Sequence, residues 1–209
     1  MDCTYFGRAW GVVVLMDSQT GKKLWRKYVR HEKLVDYQEG ISYILSKKYQ
    51  LRGIVCDGLK GIFKQFSAYP VQFCQYHQVA VIRRYLTLNP KLEASKELWL
   101  LAKEMAKLTK DEFTIKFERW ELKWRSYLNE RTVDKQTGKS HFTHKNLRSA
   151  WLSIKRNLMY LFVFEEVENM PNTNNALEGT FAALKNSLRN HSGMSKENRK
   201  RFIDGFFKA

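Results

Sequence analysis

Strand-forming segments are confined to the first 76 residues of this 209-residue chain, and their order restricts what it can fold into. Asp2 to Phe6 and Trp10 to Asp17 are rich in valine and aromatic residues, as strands are. A turn at Asp17-Ser-Gln-Thr-Gly21 leads into Lys22 to Val29, where Leu24, Trp25 and Tyr28 suit a hairpin partner. These three segments read as consecutive antiparallel strands. From His31 the period changes: Leu34, Tyr37, Ile41, Ile44, Leu45 and Lys48 recur at helical spacing. An apolar strand over 51–56 then ends at Asp57-Gly58. A short helix over 59–67, a strand over 71–76 and a helix over 77–88 follow, closed by Asn89-Pro90. Strands joined through helices lie parallel, so the expected fold class is α/β: a mixed sheet of three antiparallel strands, then parallel strands with helices. Ligands of such sheets gather at the carboxyl ends of strands, where Asp57 and the segment Cys74 to His77 fall.

From Lys91 to about Phe164 the strand signals stop. One helical run to about Arg131 carries Leu98, Leu101, Met105, Leu108, Phe113, Phe117, Trp120 and Trp124. A break spans Thr132 to Ser140, and a second helix is expected over 145–164. This region reads as an all-α insertion, with its Trp and Phe residues in a core rather than stacked on bases. The expected organisation is a first part of the core over 1–90, a helical insertion over 91–168, and C-terminal helices of the core over 169–209.

Pro171 and the asparagines 172, 174 and 175 mark a helix start, where an Asn side chain can cap free amide hydrogens. Beyond them Leu177, Phe181, Leu184 and Leu188 form an apolar stripe. Glu178, Ala182, Lys185 and Arg189 form the edge beside it. A carboxylate followed by cations suits a helix that binds a metal ion and lies along a phosphate chain; an ordinary solvated face has the same pattern. Asn190 to Gly193 reads as a loop. Ser195 can cap a last helix, Lys196 to Lys208, dense in Lys and Arg.

The formal net charge is +16, from 37 Lys and Arg against 21 Asp and Glu. Such an excess favours a polyanionic partner through phosphate contacts and counterion release. Cys3, Cys56 and Cys74 are odd in number and scattered, which excludes a disulfide framework and points to a reducing compartment. The longest apolar runs are too short to cross a bilayer, and no signal peptide is visible.

Three acids stand out: Asp2 on the first strand, Asp57 ending the fourth, and Glu178 on the late helix. Asp2 and Asp57 fall on strands that would be neighbours, and a helix packed across that edge could supply Glu178. Converging carboxylates repel one another, and divalent ions relieve the repulsion. Hard oxygen ligands suit Mg²⁺ or Mn²⁺. Two such ions about 3.5–4 Å apart can activate a water or a 3′-hydroxyl and stabilise the leaving oxygen of a phosphodiester. Asp-Gly after a strand also serves simply as a turn. Cys74 and His77 are too few for structural zinc, and a core cysteine beside a helix-starting histidine accounts for them equally.

The motifs Asp2-x-Thr-Tyr-Phe-Gly, Val55-Cys-Asp57-Gly-Leu-Lys-Gly, Cys74-Gln-Tyr-His77 and Asn174-Asn-Ala-Leu-Glu178-Gly resemble, in that order, the catalytic region of bacterial insertion-sequence DDE transposases of the mutator-like superfamily. The resemblance covers nearly the whole chain. It implies a ribonuclease-H-like fold with a helical insertion before the last acid. It implies Asp2, Asp57 and Glu178 as catalytic residues and metal ligands, with Cys74 and His77 in support beside them. Full-length members carry an N-terminal DNA-binding region, so the chain is expected to correspond to an N-terminally truncated catalytic region. The expected partner is double-stranded DNA, both element ends and target, bound by a homo-oligomer in a prokaryotic cytoplasm. Lys185, Arg189, Lys196, Arg199, Lys200 and Arg201 are the expected phosphate contacts. Two other readings fit the same residues: a ribonuclease-H-like nuclease that does not join strands, and a non-catalytic DNA-binding remnant.

Overall fold

The first three strands, β1 (Asp2–Phe6), β2 (Trp10–Met16) and β3 (Lys23–Val29), form an antiparallel sheet in the order β1-β2-β3. The computed structural model describes residues 1–191 and 193–208. Asp2 lies opposite Val14 and Thr4 opposite Val12, while Cys3 lies opposite Val13. Side chains alternate between faces, so β2 serves two cores at once. Val13 and Leu15 face helix α1 (Leu34–Ser46); Val12 and Val14 face α7 (Asn175–Arg189) and α8 (Lys196–Lys208). That is why β2 is continuously apolar: Val12, Val13 and Val14 are all fully buried.

On the first face, Tyr37, Ile41 and Ile44 of α1 pack with Ile54 and Cys56 of β4 (Ile54–Cys56) and with Ile62 of the short helix α2 (Ile62–Gln65). Helix and sheet approach closely at Gly40. A Cβ there would meet Trp25 Cε3 at 2.7 Å and Leu15 Cδ2 at 2.8 Å. On the second face, the stripe Leu177, Phe181, Leu184 and Leu188 packs with Ile203 and Phe207 of α8 against Trp10, Val12 and Val14. The expected stripe is therefore the buried one. Ser195 Oγ accepts from the Asn198 amide at 3.2 Å and caps α8 as expected. The loop expected over 190–193 includes Ser192, which lies outside the described residues.

Strands β4 and β5 (Val71–Phe73) form a second, two-stranded parallel sheet, so the fold is mixed α/β, but the single mixed sheet expected is not formed: among the described residues β1 has no ladder with β4. The Met1 amino group donates to the Val55 carbonyl at 2.7 Å and brings the start of β1 beside β4. The strand expected over 71–76 ends at Phe73. Helix α3 (Gln75–Leu86) begins two residues later, so Cys74 is its N-cap residue rather than a strand position.

The chain forms two compact units, residues 1–71 with 169–209, and residues 72–168. The second unit begins earlier than the helical insertion expected from residue 91, because α3 belongs to it. Buried glutamines need partners, and these find them on α6 (Lys145–Leu161). Gln72 and Gln75 side-chain amides donate to the Leu161 carbonyl at 2.8 and 2.9 Å, and Gln78 donates to Ser153 Oγ at 3.1 Å.

The helical run expected up to Arg131 is two helices, α4 (Glu93–Glu104) and α5 (Lys110–Asn129), separated by a 3-10 turn. Thr109 starts α5 with a reciprocal cap. Its Oγ1 accepts from the Glu112 amide, and Glu112 Oε2 accepts from the Thr109 amide at 2.9 Å. Phe113, Phe117 and Trp120 are buried, as expected of core residues.

Nor is this unit all-α. Strands β6 (Arg131–Val133) and β7 (Ser140–Phe142) make a small hairpin where only a break was expected. Its turn, Asp134-Lys-Gln-Thr-Gly138-Lys139, repeats the backbone hydrogen bonds of the β2–β3 turn Asp17-Ser-Gln-Thr-Gly21-Lys22. Gly21 donates to the Asp17 carbonyl and Gly138 to the Asp134 carbonyl, both at 2.9 Å. Each Asp carboxylate accepts from the two following turn amides, and each glycine has positive φ, +70° and +64°. Among the described residues no helix is long and apolar enough to cross a membrane.

Candidate acidic centre and flanking basic grooves

Register decides where Asp2 sits. Paired with Val14, it shares the face of the sheet that α7 covers, and it is 6% exposed. Its Oδ1 accepts from the Cys3 amide at 2.7 Å, and its Oδ2 accepts from the Asn174 side-chain amide at 3.2 Å. Asn174 is the N-cap residue of α7, but its side chain makes no cap hydrogen bond. The expected capping role gives way to a bond spanning 172 residues. A buried carboxylate is a costlier orphan than one helix amide at a solvated end. Glu178 follows one turn along α7, its amide bonded to the Asn174 carbonyl at 3.1 Å.

Asp57 follows β4 directly. Its Oδ1 is buried and has no hydrogen-bond partner among the described residues. Such an orphan is expensive, and a cation removes the cost.

A fourth acid joins Asp2 and Asp57. Glu32 lies in the connection between β3 and α1, with its amide donating to Tyr5 Oη at 2.8 Å and its carboxylate accepting from the Tyr37 hydroxyl. Burial, followed by the charges of Asp57, Asp2 and Asp36, pushes its carboxyl up to about 7, against the opposing Tyr37 hydrogen bond. The Cys3 thiol is pushed up to about 12, first by burial and then by Glu32, with Asp2 and Asp57 adding to it. Tyr37 is raised by burial and by the same carboxylates. The fields of Asp2 and Asp57 thus overlap at Glu32, Cys3 and Tyr37.

Asp2, Asp57 and Glu32 are therefore gathered electrostatically, and Asn174 links Asp2 to the start of the Glu178 helix. Among the described residues, Asp2, Asp57 and Glu178 do not form a set with all ligand atoms within 4.8 Å of one another. In the second unit Cys74 is fully buried, and its Sγ lies within 4.8 Å of a ring nitrogen of His77. Glu32 escapes sequence reasoning because it stands in a short connection without periodicity. Its one signal is the spacing to Tyr37, which places the hydroxyl on the first turns of α1 facing back toward it.

Basic residues line two grooves around the β1–β2 turn of the same unit. The first, about 410 Å³, is bounded by Tyr5, Phe6 and Gly7 at the end of β1, by Lys185 and Arg189 of α7 and by Arg199 of α8. The Nε of Arg199 is buried and has no hydrogen-bond partner among the described residues. The second, about 510 Å³, takes Lys196 and Lys200 of α8. Five of the six expected phosphate contacts thus line a groove. Arg201 is exposed on α8 and is not among the lining residues of either.

Comparison of the chain with protein-family models, with curated proteins and with solved structures finds no match.

Proposed function

We propose that the chain is the ribonuclease-H-like catalytic region of a DDE transposase, acting on double-stranded DNA with Mg²⁺ or Mn²⁺. The observation that carries the reading is the Asn174–Asp2 hydrogen bond. It joins the two motifs that lie farthest apart in sequence, the Asp2 strand and the start of the Glu178 helix. Asp2, Asp57 and Glu178 are the proposed metal ligands, and the orphaned Asp57 Oδ1 fits that role. Bound divalent ions would activate the attacking oxygen and stabilise the leaving one. The chain's own residues orient and restrain. Cys3 and Asn174 fix both oxygens of Asp2. Tyr37 holds Glu32, whose raised affinity for a proton keeps surplus negative charge out of the centre near neutral pH. Lys185, Arg189 and Arg199 offer phosphate contacts beside the end of β1.

The test is Mn²⁺-dependent cleavage of a DNA duplex, with a supercoiled plasmid as target. Asp57→Asn and Glu178→Gln are expected to abolish cleavage while leaving the thermal melt cooperative. Cleavage retained in either variant would refute the metal assignment. Cleavage without a joined product would identify a nuclease. DNA binding with no cleavage by the wild type would identify a binding remnant.

A further inference from the structure

The second groove holds cations that the expected phosphate contacts do not include. Arg8 projects from the β1–β2 turn, and Arg30 and His31 follow the end of β3; with Lys196 and Lys200 they line one concavity that contains no carboxylate. Arg8, Arg30 and His31 are all exposed. The walls are aromatic. Trp10 packs on Phe6 at 4.7 Å between ring centroids and edge-on against Tyr28 at 5.7 Å. Lys200 Nζ lies 5.1 Å from the Tyr28 ring centroid, and the Tyr28 hydroxyl donates to Asp204 Oδ1 at 3.1 Å.

Asp204 is the acid that could have neutralised this groove, and it is engaged elsewhere. It pairs with Arg26 Nε at 2.7 Å and accepts from Tyr28. These contacts pin α8 to β3 and hold Lys196 and Lys200, one helical turn apart, toward the groove. Like charges held together in one concavity repel one another, and an anion relieves the repulsion. The two grooves also meet: Gly7 lines one and Arg8 the other, so a single turn of chain forms the ridge between them.

We propose that the groove of Arg8, Arg30, His31, Lys196 and Lys200 is a second phosphate-backbone site, which continues the groove of Lys185, Arg189 and Arg199 so that one DNA duplex is held on both sides of the β1–β2 turn. The inference rests on the reading of the chain as a DNA-binding enzyme, but it needs neither metal nor cleavage. A mononucleotide would occupy one groove. A phosphodiester chain engages both, and its affinity carries the salt dependence of several released counterions.

The experiment is a fluorescence-anisotropy titration of the full chain with a short DNA duplex in EDTA, repeated across salt concentrations. Arg8→Ala/Arg30→Ala is compared with Lys47→Ala/Lys64→Ala, which removes equal charge from exposed positions of the same unit. All four positions are exposed, so neither pair tests folding. The groove pair is expected to weaken binding and to lower the slope of log affinity against log salt by about 2, roughly one per lost phosphate contact. The control pair is expected to leave the slope within experimental error. Equal slopes for wild type and groove variant would overturn the proposal, as would equal losses in the two variants, which would show attraction by net charge alone. No binding by the wild type at low salt would also overturn it. Because EDTA is present, failure here is separable from failure of the metal assignment, which the cleavage assay reads.

Discussion

The stability of this protein should fall as pH rises from 5 to 8, and Glu32 should be the reason. A carboxyl raised from 4.5 to about 7 binds its proton more tightly in the folded chain than in the unfolded one. Its contribution is complete below pH 4.5 and is lost as pH rises through about 7. The full difference corresponds to about 3 kcal/mol at 1.36 kcal/mol per tenfold. Glu32 is only partly buried, so solvent screening reduces this to about 1–2 kcal/mol. The groups facing it are Asp2 of β1, Asp36 and Tyr37 of α1, and Asp57 after β4. The three acids among them all raise it. For a chain of this size 1 kcal/mol is about 2–4 °C in melting temperature, so a drop of roughly 2–8 °C is expected between pH 5 and 8. Glu32→Gln keeps the shape and an acceptor for the Tyr37 hydroxyl but cannot ionise, and should remove that drop. The assay is a pair of thermal melts across this window for wild type and variant. Parallel curves would refute the claim that the charges of Asp2 and Asp57 act on Glu32.

Leu184→Ala opens a cavity at a fully buried position between α7 and β2, and should cost about 2–5 kcal/mol by guanidinium unfolding. Gly40→Ala should cost about 1–3 kcal/mol, because the new Cβ meets Trp25 and Leu15 below 3 Å. That outweighs a helix-propensity gain of about 1 kcal/mol, and a stabilised variant would refute the close approach of α1. Gly21→Ala and Gly138→Ala meet no atoms within 4 Å, so each should cost only the roughly 1–2 kcal/mol of a left-handed residue, readable by calorimetry.

The elements legible in the sequence are those in which burial repeats with the period of the backbone. The α7 stripe and the valine run of β2 are of this kind. Each apolar position reports one contact with a large core, and the pattern survives without knowing the partner. The acidic centre is legible only as separate residues. Asp2 reaches the α7 face through register with Val14, and Asn174 surrenders its cap to reach it, both facts of pairing across the whole chain. Glu32 carries no periodic signal at all. The β6–β7 hairpin fails for a different reason: three-residue strands are too short to alternate visibly. Its information lay in the turn, since Asp134 to Lys139 repeats the chemistry of Asp17 to Lys22. The burial of glutamines 72, 75 and 78 depends on their partners on α6, which no local pattern shows.

The charges of the first unit bear on the proposal that the acidic centre and the basic grooves serve one function. Several cations near the sheet already have acids: Lys27 pairs with Asp36 and Glu39 at 2.8 and 2.6 Å, and Arg26 pairs with Asp204. The charges of Asp2 and Asp57 both act on Glu32, and the two grooves gather cations without an acid among their lining residues. A fold that wanted only stability would have mixed these populations, since each is repelled by itself. Separation of this kind is relieved from outside, by cations at one place and anions at the other. On the proposed reading, divalent ions with a phosphodiester chain would supply both, and each would lower the repulsion that the other meets. Under the proposed function the two bindings are therefore linked: Mn²⁺ tightens DNA by the same factor by which DNA tightens Mn²⁺. The net charge of +16 is the sequence-level counterpart of that proposal, since it favours a polyanionic partner.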